Sequence, residues 1–160
     1  MPFQFKRKQT VEFADTDMAG IAHFSNFFRY MEMTEHAFYR SLGFVIHSKE
    51  TETEYGMARV NAKCQFFRPV KFQEVVETQL LVKEKREKSL THVFVLRKNT
   101  ARHGEQIVAF GEMTVVCIGV DEQQGKLAAL PIPPEIYQKI EISPSGVIPE
   151  LDGRGNVKAK

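Results

Sequence analysis

A chain of 160 residues, 42% of them apolar, has room for one domain with a sizeable core, and thirteen phenylalanines supply large, stiff pieces for it. Twenty-two basic against twenty acidic residues leave a net charge of +2, too weak a field to imply a nucleic-acid partner, although a local basic cluster would still suit a small anion. Cys64 and Cys117 have no CxxC neighbours, which argues against a disulfide framework or a metal site. No window approaches the ~20 apolar residues of a membrane span, so the expectation is a reduced, soluble, cytoplasmic protein.

In chain order, residues 3–14 alternate Phe3, Phe5, Val11 and Phe13 with polar residues, the pattern of a half-buried strand. The period changes after Ser25. Phe27, Phe28, Met31, Phe38 and Leu42 recur at helical spacing, with Arg29, Glu32, His36 and Arg40 to the other side. With Ser25 as N-cap and Gly43 as the stop, a helix is expected from about Asn26 to Leu42. The polar stretch 47–56 reads as a loop. Four strands follow, at about 58–67, 74–86, 90–99 and 106–120, separated by an Arg-Pro break and short polar turns that imply antiparallel neighbours. The prolines of 131–134 start a short final helix. A single domain therefore spans 1–142. The tail 143–160, rich in Gly, Pro and charge, is expected to be mobile or packed on a neighbouring subunit. One helix covers one face of such a sheet, and cover for the rest is expected from another copy of the chain.

The chemistry concentrates in FADTDMAG, where the first strand ends and the helix has not begun. Asp15 and Asp17 can be read as turn chemistry, since aspartate side chains bond nearby amides. They can also be read as oxygen ligands for a hard cation, or as a phosphoryl-transfer nucleophile, against which Ala19 stands where that motif carries threonine. In the last reading they serve acyl transfer, one carboxylate acting beside a helix N-terminus whose unpaired amides suit an oxyanion.

The segment FADTDMAGIAHFSNFFRYME resembles the signature of the 4-hydroxybenzoyl-CoA thioesterase family of hotdog-fold proteins: an aspartate pair, a glycine three residues on, then a helix with aromatic residues and a glutamate. The likeness continues through FFRPVKFQEVVETQLLVKEKREKSLTHVFVLRKN and GEQIVAFGEMTVVCIGVDEQQGKLAALP, over roughly residues 4–140. It implies an α+β hotdog fold, an antiparallel β-sheet wrapped around one long α-helix, assembled as a dimer or tetramer with sites at subunit interfaces. It also implies an acyl-CoA thioesterase, with coenzyme A as part of the substrate and no separate cofactor or metal.

By position in that resemblance, Asp17 matches the carboxylate that acts as nucleophile or general base, and Asp15 holds the loop. Gly20 permits the tight turn. The Phe24 amide at the helix start polarises the thioester carbonyl, and Ser25 and Asn26 are capping residues that also touch the ligand. His23 stands one residue before the histidine of some relatives and is a second catalytic candidate. Arg86 and Lys88, in the turn KEKREKS, match basic positions that meet the nucleotide phosphates, while Glu87 replaces a third. Arg68 and Lys71 are weaker phosphate candidates. Phe27 and Phe66 either line an aryl pocket or fill core. Within the same fold the rivals are a non-catalytic acyl-CoA-binding module and an enoyl-thioester hydratase.

Overall fold

The computed structural model describes residues 2–43 and 55–159. Six strands form one antiparallel sheet: β1 (Gln4–Thr10), β2 (Tyr55–Phe66), β3 (Val75–Lys85), β4 (Ser89–Thr100), β5 (Gly104–Asp121) and β6 (Lys126–Ala129). Their order across the sheet is β1-β3-β4-β5-β2, with β6 also paired to β5. The long helix α1 (Phe24–Ser41) follows β1, and the short helix α2 (Pro134–Tyr137) follows β6.

The first strand is shorter than its alternation suggests. After Val11 the chain closes into a 3-10 turn, Phe13–Asp15, where Asp15 Oδ2 accepts the Glu12 amide at 3.0 Å. Phe13 consequently leaves the sheet and lies exposed against Phe72. The helix begins two residues earlier than expected, because His23 rather than Ser25 is its N-cap. It stops at Leu42, and Gly43 takes φ +88°, the left-handed conformation that glycine adopts at least cost. Its buried residues Phe27, Tyr30, Met31, Thr34, Glu35 and Phe38 follow three–four spacing, and the apolar ones join the core cluster against the sheet. Of the polar stretch read as a loop, residues 47–54 lie outside the described residues, and Tyr55 and Gly56 already belong to β2. The DEQQGK turn opens a hairpin into β6, a strand too short for periodicity to reveal.

Two hydrophobic clusters result. The main one lies between α1 and the sheet, closed by Ile132, Ile136 and Ile140 around α2. The smaller one, Leu81, Val93, Val95 and Ile107, is on the outer face. Part of the cover for that outer face comes from the chain itself. Ile148 and Leu151 of the tail pack on the cluster, and Ser143 donates its amide to Val82 O at 2.8 Å. Burial of those apolar side chains holds the tail on the chain's own sheet.

The main core also encloses a polar group. Glu35, Tyr39 and His92 are each at most 1% exposed. Arg59 of β2 reaches Glu35 Oε2 at 2.6 Å, and the Tyr39 hydroxyl meets His92 Nε2 at 2.8 Å. A carboxylate this deep is tolerable because a guanidinium pairs with it directly.

Candidate active site

The turn between β1 and α1 is built by Asp15. Its carboxylate accepts the Tyr30 hydroxyl at 2.8 Å, and its carbonyl accepts the Asn26 side-chain amide and the His23 amide, each at 2.8 Å. Burial and the Asp15 carboxylate raise the Tyr30 hydroxyl pKa well above its ordinary value, so it remains a donor. Asp15 therefore ties the turn to the first two turns of the helix.

Asp17 is spared that work. Its carbonyl accepts the Gly20 amide at 3.0 Å, and one carboxylate oxygen accepts the Ala19 amide at 2.8 Å. Gly20 takes φ +75° with open space around it, which lets the loop double back so that the Asp17 amide reaches Ile21 O at 2.9 Å. The returning strand is pinned by the Ala22 amide on Val70 O at 2.7 Å. The Asp17 side chain is exposed in the single chain, yet it stands at the edge of a crevice.

That crevice, about 470 Å³, is walled by Asp17, Ile21, Phe24, Phe27, Phe66 and Arg68, among others. Phe27 and Phe66 meet edge to face, ring centroids 5.3 Å apart, and Phe24 stands 6.3 Å from Phe66 in the same manner. Such a slot, largely aromatic with a few polar groups at its rim, has the character of a small-molecule site.

At the helix start, among the described residues, one backbone donor of a crevice-lining residue is left without an acceptor. His23 Nδ1 accepts the Ser25 amide at 3.3 Å, and the Asn26 amide bonds His23 O at 2.9 Å. The Phe24 amide, first of the helix, has no acceptor among the described residues. His23 and Ser25 are thus occupied with capping, their side chains 2.8 Å apart. Asn26 turns inward to Asp15, away from the crevice.

The proposed phosphate residues fall elsewhere. Arg86 and Lys88 lie at the far end of β3, which runs 11 residues, roughly 35 Å at ~3.3 Å per residue. Arg86 there pairs with Glu84 at 2.7 Å. The chain brings neither to the crevice containing its own Asp17. Arg68, one of the weaker phosphate candidates in the sequence, does reach it, together with Phe67, which the sequence did not single out. Among the described residues no three His, Cys, Asp or Glu side chains converge to hold a metal ion, and no helix is long and apolar enough to cross a membrane.

A sheet curled about one long helix, whose N-terminus faces an acid-bearing turn, defines a hotdog-fold protein. Residues 11–140 match the family model of the thioesterase-like superfamily, and the chain belongs to that family. A protein of Aquifex aeolicus (strain VF5) named "Putative esterase" is 31% identical over 131 residues, covering 82% of this chain and 93% of that one. The solved gentisyl-coenzyme A thioesterase is 27% identical with a TM-score of 0.71, covering 85% of this chain and 99% of its own. The 4-hydroxybenzoyl CoA thioesterase of Pseudomonas sp. strain CBS-3 shares the fold, with a TM-score of 0.74 at 20% identity over 86% and 99% of the two chains.

Proposed function

We propose that the protein hydrolyses acyl-CoA thioesters, with Asp17 as nucleophile or general base. One observation carries this reading: an aspartate with an uncommitted oxygen and a helix-terminal amide without an acceptor border the same aromatic-walled crevice. The acyl group occupies the slot of Phe24, Phe27 and Phe66, and the thioester oxygen faces the Phe24 amide. Donors aimed where charge develops lower the barrier to a tetrahedral intermediate. Asp17 either adds to the carbonyl carbon, giving an anhydride that water then opens, or takes a proton from the attacking water. In both cases the C–S bond breaks and the CoA thiolate leaves, to be protonated by solvent. Membership of the thioesterase-like superfamily and the likeness to a gentisyl-CoA thioesterase support the substrate class.

The same reading includes a homo-oligomer, a dimer or tetramer. β2 is an edge strand whose residues 59–63 are all exposed, and an unpaired edge invites a second strand. A neighbour across that edge would shield Asp17 from water, strengthening it as nucleophile or base. A neighbour would also let the Arg86–Lys88 turn of one chain approach a ligand at the Asp17 of another.

The test is thiol release from a panel of aryl, short-chain and long-chain acyl-CoAs. Wild type should release thiol, and Asp17→Asn should lose at least about a hundredfold in kcat while keeping its circular dichroism spectrum. Full activity in the variant removes Asp17 from the chemistry. CoA-ester binding without turnover by wild type would make the protein an acyl-CoA-binding module.

A further inference from the structure

Behind the wall formed by Phe67 and Arg68 lies a second cavity, about 370 Å³, on the outer face of the sheet. Arg68 borders both cavities. The other walls come from Arg97 of β4, His103 and Glu105 at the β4–β5 turn, and Gly155 and Asn156 of the tail. The tail is shaped for this place. Leu151 and Val157 bridge as a small hairpin, Asp152 Oδ1 accepts the Arg154 and Asn156 amides at 2.8 and 2.9 Å, and Gly155 lies directly on the Phe67 ring.

The cationic groups in this cavity are only partly neutralised. Arg68 donates to Ile107 O at 2.6 Å and to Asn156 Oδ1 at 2.9 Å, both uncharged acceptors, and pairs with no carboxylate among the described residues. Arg97 donates to Gln79 Oε1 at 2.8 Å and faces Glu105 at 3.3 Å, across a contact in which Glu105 is 66% exposed and Arg97 only 16%. Burial pulls the Arg97 pKa below its ordinary value, as expected of a cation withdrawn from water with incomplete compensation. Each guanidinium has five N–H donors, and the contacts named above use two on each. Two planar forks with free donors suit an anion with several oxygens, phosphate above all, and the carboxylate that opposes it, Glu105, faces solvent.

We propose that this cavity is a phosphate subsite, in which Arg68 and Arg97 hold a phosphate group of the substrate's CoA moiety under the tail hairpin. The assignment rests on the acyl-CoA reading of the Asp17 crevice. Arg68 is the physical link, since it borders both the crevice and this cavity. It also gives the chain its own phosphate contacts on the Asp17 side, independent of the remote Arg86–Lys88 turn.

The experiment compares kcat/KM for one acyl group carried on CoA and on pantetheine, which has the same thiol arm without the nucleotide phosphates. In Arg97→Gln and in Arg68→Gln the CoA-to-pantetheine ratio should fall about tenfold, chiefly through KM, because only the phosphate-bearing substrate loses a charged hydrogen bond. A variant that merely folds poorly loses both activities in proportion and leaves the ratio unchanged. CoA titrated calorimetrically into each protein should weaken by a similar factor, a readout that stands even if wild type hydrolyses neither thioester and the acyl-CoA hydrolase reading fails. An unchanged ratio with unchanged CoA affinity overturns the subsite. So does a ratio that falls only in Arg86→Gln/Lys88→Gln, since the phosphates then sit on a neighbour's hairpin. Inorganic phosphate that binds wild type but not Arg97→Gln, with the ratio unaffected, would make the cavity a site for free phosphate and overturn its assignment to the substrate.

Discussion

His92 should make the fold sensitive to mild acid. Its ring is wholly buried between Phe38 and Phe94, with Tyr39 Oη at 2.8 Å and Glu35 at 3.8 Å from Nε2. Nδ1 has no partner. The assignment that satisfies most groups has Nε2–H donating to the Tyr39 oxygen and the Tyr39 proton directed to Glu35, 3.4 Å away, leaving Nδ1 a bare lone pair. A proton added at Nδ1 would be a buried charge without an acceptor. Desolvation lowers the His92 pKa from 6.5 to about 4, against the attraction of Glu35 and with the help of Arg59.

The sign follows from linkage. Above pH 6.5 the ring is neutral in folded and unfolded chains alike and has no effect on the pH dependence. Between 6.5 and about 4 only the unfolded chain takes up the proton, so stability is lost as pH falls through that window. At ~1.4 kcal/mol per pH unit the loss sums to roughly 3 kcal/mol by pH 4, a large part of a typical domain's stability. The assay is urea unfolding of wild type and His92→Gln from pH 7.5 to 4. Other carboxylates titrate in both proteins, and the difference curve removes them. Wild type should lose about 3 kcal/mol more than the variant across the window. Parallel curves would falsify the claim that this imidazole is held neutral.

Two further perturbations probe the frame of the site. Arg59→Leu leaves the Glu35 carboxylate, 2% exposed, without its guanidinium; it should lower the unfolding free energy by about 3 kcal/mol, and adding Glu35→Gln should recover part of that loss in urea titrations. Gly155→Ala puts a methyl group onto the Phe67 ring at a φ of +78°. The tail hairpin should lift, seen as faster amide exchange at Lys158, whose N–H bonds Glu150 O at 2.9 Å, and as a loss of roughly 1–3 kcal/mol in stability.

Much of the architecture was legible because it is local. Alternation marked the strands, three–four spacing marked α1, and Gly43 marked its end, since side-chain direction follows backbone period over a few residues. The turn holding Asp15 and Asp17 was also visible, as was the aromatic pair Phe27 and Phe66, though not which role that pair takes. His23 was visible as a residue near the helix start, but its part as N-cap depends on how the turn enters the helix.

Other features depended on contacts between residues far apart in the chain. Glu35 and His92 stand 57 positions apart, and nothing in either segment announces that β4 will seat the imidazole beneath α1. Composition marked the tail as loose, but the apolar patch on the outer sheet face gives Ile148 and Leu151 somewhere to bury. Arg86 and Lys88 were matched by resemblance to positions that meet the nucleotide phosphates, and an 11-residue strand lies between them and the Asp17 end of the sheet within one chain. Arg68 and Arg97 come together only because β2, β4, β5 and the tail converge at one corner. The sequence by itself therefore determined the elements and the acid-bearing turn, through backbone periodicity and turn chemistry. Tertiary packing decided which charges share a cavity, because that depends on sheet order and on which apolar surfaces had to be covered.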